Sequence, residues 1–227
     1  MIPEGLTQEI TGDGSSTLRV ANLGETYHSR HGAVTESAHV FIKAGLTHIS
    51  KTISGRPIGI FEMGFGTGLN ALLAEQWAAN NEREVIFETV ETMPLPQAVW
   101  ERLIFPGITH ERIQAIHEAP WEEATRCSTF FTLSKRNGSL LEIGLPDSFF
   151  DVVFFDAFAP SKQPELWTAA VMEKLHAALT PGGVLVTYCA QGQFKRNLHQ
   201  AGFTVEALPG PPGKREMVRA RRPLTSI

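Results

Sequence analysis

Cysteine is scarce: Cys127 and Cys189 are the only two among 227 residues. Their spacing matches no metal-ligand motif, and two thiols in a chain of this length do not build a disulfide framework, so a reducing, cytoplasmic compartment is expected. No apolar run approaches the roughly 20 residues that cross a bilayer, and residues 1–10 hold two glutamates and no basic side chain. Neither a membrane span nor a secretory signal is therefore expected, and the sequon Asn137-Gly138-Ser139 carries no meaning as a glycan acceptor. The eight histidines lack a ligand spacing such as H-E-x-x-H, so no metal is expected. Internal repeats and low-complexity tracts are missing as well.

What is present is the composition of a folded domain. With 42% hydrophobic and 19% charged residues, disorder, a coiled coil and a collagen-like chain are excluded, and the length suits one domain better than two. Net charge is −4, yet from Tyr188 onward seven basic residues face only Glu206 and Glu216, so this stretch carries +5 and the remainder −9. An acidic body with a basic lip can dock a polyanion. A solubilising tail explains the same asymmetry.

Candidate strands fall at residues 58–61, 85–90, 130–133, 151–155, 184–188, 205–208 and 216–220, with helical stretches at 68–80, 96–104, 111–117, 164–178 and 193–201 between most of them. Runs such as Asp151-Val-Val-Phe-Phe155 are apolar on both faces, as parallel strands covered by helices are. The alternation predicts a doubly wound α/β sheet of seven strands with its ligand site at the carboxyl ends. Pro209-Gly210-Pro211-Pro212-Gly213 is too short to hold a crossover helix, so the last two strands form an antiparallel edge hairpin. Residues 1–55 are expected to add a small β-hairpin, turning at Asp13-Gly14-Ser15-Ser16, and a helix around 35–44, as part of the same globule.

Glu62-Met63-Gly64-Phe65-Gly66-Thr67-Gly68 follows the first core strand and opens a helix, which turns backbone N–H groups toward a ligand. The dinucleotide fingerprint G-x-G-x-x-G needs glycine at position 69, where Leu69 stands, so a nicotinamide or flavin enzyme is disfavoured. The pattern resembles instead motif I of class I S-adenosylmethionine (SAM) methyltransferases, in which a carboxylate ending the second strand takes the ribose hydroxyls. Glu91 holds that place here. A purely structural turn and a solvated carboxylate are the plain alternatives. After the fourth strand, Asp156 faces the expected position of the transferable methyl, where a carboxylate can accept an amine proton and hold the lone pair in line. Phe158 can stack on a base. A turn cap for Asp156, and packing for Phe158 and Trp167, remain open.

Five blocks in order carry a more specific likeness: Thr35-Glu36-Ser37, Glu62-x-Gly-Phe-Gly-Thr-Gly-Leu-Asn70, Glu91-x-x-Pro-Leu95, Asp156-x-Phe-Ala-Pro-x-x-x-Pro-x-Leu-Trp167 and Gly213-Lys-Arg-Glu-Met217. Together they resemble the tRNA 5-methylaminomethyl-2-thiouridine methyltransferases, the family of MnmD and of the methyltransferase part of MnmC, from about Tyr27 to Ala220. The resemblance implies a Rossmann-like class I methyltransferase domain over 56–227. Its implied reaction is transfer of the SAM methyl to the amine of 5-aminomethyl(-2-thio)uridine at the tRNA wobble position. It implies Glu62, Gly64, Gly66, Gly68, Asn70 and Glu91 around the cofactor, Asp156 as the catalytic carboxylate, and Glu36, Phe158 and Pro160 near the acceptor.

Two departures stand out. No FAD oxidase domain of the bifunctional enzyme is expected here, so any oxidoreductase step falls to a separate protein. Where the family places an acid for the adenine amino group, Lys135-Arg136-Asn137 stands, which leaves Asn137 as the acceptor. Lys195, Arg196, Lys214 and Arg215 are expected to meet tRNA phosphates; solvated charge is their plain alternative, preferred for Arg221 and Arg222. Tyr27, His28, Arg30 and His31 can lid the site. A methyltransferase of a small amine or another base, or a catalytically silent SAM- or RNA-binding module, are the other readings.

Overall fold

Ile58-Gly-Ile-Phe-Glu-Met63 and Phe150-Asp-Val-Val-Phe-Phe155 are buried at every position, so each needs a covering layer on both faces. In the computed structural model, which describes residues 5–224, they are neighbours at the centre of an eight-stranded sheet. In chain order its strands are β4 (Ile58–Met63), β5 (Val85–Glu91), β6 (Ala124–Ser128), β7 (Phe131–Asn137), β8 (Phe150–Phe155), β9 (Leu179–Thr187), β10 (Thr204–Pro209) and β11 (Glu216–Arg221). The spatial order is β10-β11-β9-β8-β4-β5-β7-β6. Strands β9, β8, β4, β5 and β7 run parallel, while β11 and β10 close one edge as an antiparallel hairpin.

The eighth strand, β6, extends the opposite edge antiparallel to β7. Its sequence, Ala-Thr-Arg-Cys-Ser, has no apolar run because an edge strand half open to solvent needs none. Ahead of the sheet, β1 (Leu6–Ile10), β2 (Ser16–Val20) and β3 (Glu25–Thr26) form a three-stranded sheet rather than a two-stranded hairpin. Residues 1–4 and 225–227, the ends of the two expected spans, lie outside the described residues.

Helices α3 (Leu69–Asn81) and α5 (His110–Glu118) pack on one sheet face, and α6 (Ala169–Ala178) and α7 (Gly192–Gln200) on the other. The pleat divides β4 accordingly: Ile58 and Ile60 join the first core, Phe61 and Met63 the second. The N-terminal helical run comprises α1 (Ala33–Ser37), a π-helical stretch (Ala38–Leu46) and α2 (Thr47–Ile49). Its Val40 and Phe41 lie in one core with Phe154 and Val186, and a Cβ on Gly45 would come 2.8 Å from Val186. The expected helix at 96–104 shrinks to α4 (Gln97–Trp100), because the chain leaves it to bond β2: Ile104 N–H donates to Ser16 Oγ at 2.9 Å. The stretch 164–178 divides at Thr168, whose extended backbone and Oγ cap α6.

Asp151, 1% exposed at the start of β8, accepts from both terminal nitrogens of Arg56 (2.7 and 2.6 Å), from Gly59 N–H (2.9 Å) and from Thr180 Oγ1 (3.0 Å). Asp151→Ala leaves these donors unpaired at the sheet end opposite the carboxyl-end cleft. We expect a loss of about 2–3 kcal/mol, read as a fall in Tm of roughly 5–10 °C.

Candidate active site

Strand order reverses at β4, with β5 on one side and β8 on the other. Open α/β sheets leave a cleft outside the carboxyl ends at such a point, and here a cavity of about 390 Å³ occupies it. That is within the roughly 300–1,000 Å³ typical of cofactor sites.

The chain leaves β4 through three left-handed glycines, Gly64, Gly66 and Gly68, at φ +91°, +50° and +73°. Gly64 also permits close strand approach, since a Cβ there would lie 3.3 Å from the Asp156 carbonyl oxygen. Gly66 N–H donates to Glu91 Oε2 at 3.0 Å, and Met93 N–H to Oε1 at 2.9 Å. Two backbone donors therefore orient the Glu91 carboxylate, and one further lone pair per oxygen is left for a ligand. Behind the loop, His117 meets the Thr67 carbonyl at 3.1 Å and stacks on Trp100. Burial pushes its ring down to about 4, so at neutral pH it is uncharged and donates a single N–H to that carbonyl.

At the other end of the cavity stands Asp156, directly after β8. Asn70 Nδ2, from the first turn of α3, donates to Asp156 Oδ2 at 2.8 Å. Burial, joined by the charge of Glu36, pushes the Asp156 carboxyl up to about 7, against the opposing pull of Asn70 and Lys214. Glu36 is buried on α1, where Oε2 accepts from Ser29 N–H at 2.8 Å and Oε1 from Lys214 Nζ at 2.5 Å. The Lys214 ammonium also lies 3.8 Å from the centroid of the Tyr188 ring, whose hydroxyl donates to the Ala157 carbonyl at 2.9 Å. An aromatic face and two carboxyl groups thus surround a primary ammonium. Tyr27 packs edge-on against Phe158, ring centroids 5.2 Å apart, and lies over Gly66. The segment before α1 is in this way a cover for the glycine loop.

Of the residues singled out in the sequence, Gly64, Gly66, Asn70, Glu91, Asp156, Phe158, Glu36 and Lys214 line the cavity. Gly68 lies behind it as the N-cap of α3, its Cα hydrogens facing Ile116. Glu62 does not reach the cavity: it is 0% exposed and accepts from Thr89 Oγ1 at 2.8 Å inside the sheet. Asn137 is exposed at the end of β7 and outside the lining, where its backbone N–H donates to Glu122 at 2.6 Å. Its neighbour Lys135 is buried instead, with Nζ donating to the Ile116 and His117 carbonyls at the end of α5. Pro160 turns the loop beside the cavity without lining it. Lys195 pairs with Glu216 at 2.9 Å and Arg196 with Gln193 on α7, while Arg215 is exposed in the β10–β11 turn. None of these three lines the cavity, and Lys214 points into it rather than to an outer surface. Sequence reasoning passed over Tyr188, Met93 and Gln163. Only Tyr188 carried a signal, as the polar-tipped end of an apolar strand.

A profile of the family described as S-adenosyl-L-methionine-dependent methyltransferase matches residues 134–223. The tRNA 5-methylaminomethyl-2-thiouridine biosynthesis bifunctional protein MnmC of Ectopseudomonas mendocina is 33% identical over 212 residues, which are 87% of this chain and 32% of that protein. Its counterpart in Methylobacillus flagellatus is 31% identical, over 88% of this chain and 33% of that protein. The chain spans about a third of the length of these relatives. The crystal structure of MNMC2 from Aquifex aeolicus has a TM-score of 0.80 at 28% identity, covering 100% of this chain and 73% of that one.

Proposed function

For this MnmC methyltransferase-domain-like protein, with the class I SAM methyltransferase fold, we propose methyl transfer from SAM to the primary amine of 5-aminomethyl(-2-thio)uridine at the wobble position of tRNA. The observation that carries this reading is the placement of Asp156, a carboxylate that accepts a proton near neutrality, across one cavity from the glycine loop and Glu91. The likeness to proteins of tRNA 5-methylaminomethyl-2-thiouridine biosynthesis supports the acceptor. The acceptor enters with its aminomethyl group in place, made by a separate activity, and the enzyme works in the cytoplasm alongside its tRNA.

The site fits the donor by its chemistry. Left-handed glycines at 64 and 66 bring bare backbone to the cavity wall, and Glu91 is held with lone pairs to spare for a diol. SAM, when bound, supplies a sulfonium methyl as electrophile. The protein's task is to deliver a neutral amine to it, because an ammonium has no lone pair. Glu36 and the Tyr188 face attract the cationic aminomethyl group, in an environment that already suits the Lys214 ammonium. Ionised Asp156 takes one proton and holds the amine in line, while Tyr27 and Phe158 keep water from the reacting atoms.

Incubation with methyl-labelled SAM and tRNA from cells lacking this activity tests the reading. Label is expected in the 5-methylaminomethyl nucleoside after digestion. Label in a small amine alone, or none in tRNA while SAM binds, would move the acceptor elsewhere.

A further inference from the structure

Burial alternates along β7, so Phe131, Leu133 and Lys135 turn to the same side of the sheet, where the first two join the core under α3 and α5. Lys135 is only 1% exposed, and a buried ammonium is costly unless its hydrogens find partners. Two of them go to the carbonyls of Ile116 and His117, at 2.8 and 2.7 Å. The sequence explains why these carbonyls are free. The helical partner of Ile116 would be the N–H four residues on, and that residue is Pro120, which has none. His117 also lies in the last turn of α5, whose carbonyls lack helical donors, and a cation suits the negative end of a helix. The same ammonium is 5.3 Å from the centroid of the Phe65 ring and 4.8 Å from that of Trp121, within cation–π range. Phe65 stands between Gly64 and Gly66 and lines the cavity. Its ring also meets those of His117 and Trp121 edge-on, at 5.2 and 6.0 Å. Lys135 thus reaches the glycine loop from behind in two ways, directly at Phe65 and, through His117, at the Thr67 carbonyl.

Resting on the reading of this loop as the donor site, we propose that Lys135 is a positioning residue for SAM: its ammonium, seated on the end of α5, anchors Phe65 and Thr67 and so presets the glycine loop before the cofactor arrives. Lys135 does not itself line the cavity. Between the two anchored residues stands Gly66, whose N–H orients Glu91, so a loop loosened at 65 and 67 also loses its hold on the carboxylate that meets the ribose. Burial pushes the Lys135 ammonium down to about 8, which leaves it charged at neutral pH. An apolar side chain of similar length at 135 fills the same space. It strands two carbonyls, however, and frees the Phe65 ring.

The test compares the native protein with Lys135→Met. Calorimetric titration is expected to show SAM binding weakened by about 10–100-fold in the variant, with kcat at saturating SAM within about threefold. Amide hydrogen exchange should quicken by more than about tenfold at Gly66 and Thr67, and stay as in the native protein at Leu175 and Leu185 in the opposite core. A merely structural role would instead raise exchange in both cores alike and leave the SAM affinity of the folded variant unchanged; either result overturns the assignment. Should Lys135→Met not fold, nitrogen-15 lysine NMR of the native protein decides. The ammonium signal in contact with the Trp121 indole should move when SAM is added, because Phe65 stands between them, and a signal that stays in place refutes the coupling. A native protein that binds SAM but leaves tRNA unlabelled would sink the proposed acceptor and leave Lys135 in its role, whereas one that binds no SAM would remove the donor site on which the role rests.

Discussion

Asp156→Asn is expected to lower methyl transfer by about 10²–10⁴-fold while leaving SAM affinity within about twofold. The substitution preserves shape and removes only the capacity to take a proton. Because burial and the charge of Glu36 hold the native carboxyl at about 7, the native kcat/KM should rise as pH increases through 7, and that limb should vanish in the variant. Stability is expected to move the other way. A carboxyl whose folded-state value lies above its ordinary one favours the native state below about pH 4, and that contribution is lost as pH rises through 7. Removing the charge should therefore raise stability above pH 7 by about 1–3 kcal/mol, and change little in acid. Single-turnover rates and thermal melts at pH 5 and 8.5, or about those values, test both. Full turnover by Asp156→Asn would remove Asp156 from the mechanism.

Gly66→Val is expected to lower SAM affinity by at least about 10²-fold, close to the limit of measurement. Three effects add. The backbone at φ +50° disfavours a β-branched side chain, the new Cβ would lie 3.1 Å from the Tyr27 ring, and any shift of the loop breaks the Gly66 N–H bond that orients Glu91. The sequence alone suggests that a side chain at 66 would fill the cofactor's place. The structure shows that its first collision is with Tyr27, so the cover and the loop move together. Calorimetric titration with SAM is the direct measurement, and unchanged affinity would refute the glycine loop as the donor site. Gly68→Val is a useful contrast: its backbone at φ +73° is strained for a β-branched side chain and its Cβ would crowd Ile116 behind the cavity, so stability is expected to fall.

Much of the sheet was legible because its signals are local. Fully apolar hexamers such as Phe150–Phe155, glycine turns and capping residues each act within a few positions. The strand β6 was not legible, since Ala-Thr-Arg-Cys-Ser128 draws its strand conformation from pairing with β7 rather than from its own side chains. The end of α4 followed from a bond to Ser16, 88 residues away, which no window on the sequence contains.

The sequence by itself determined the order of the central parallel strands, the edge hairpin and the helices between them, and with it the strand ends that bear the glycine loop, Glu91 and Asp156. Side chains at the carboxyl ends of neighbouring strands must converge on the crevice where strand order reverses. The tertiary structure alone decided which side chains complete the site. Lys214 reaches Glu36 across 178 residues, Tyr27 covers Gly66, and Tyr188 supplies the aromatic face. It also decided that Glu62 turns inward to Thr89 and Asn70 while Asn137 stays outside. Such contacts depend on register, pleat and the packing of distant segments. A motif can name the residue types, but only the folded chain sets which way each one points.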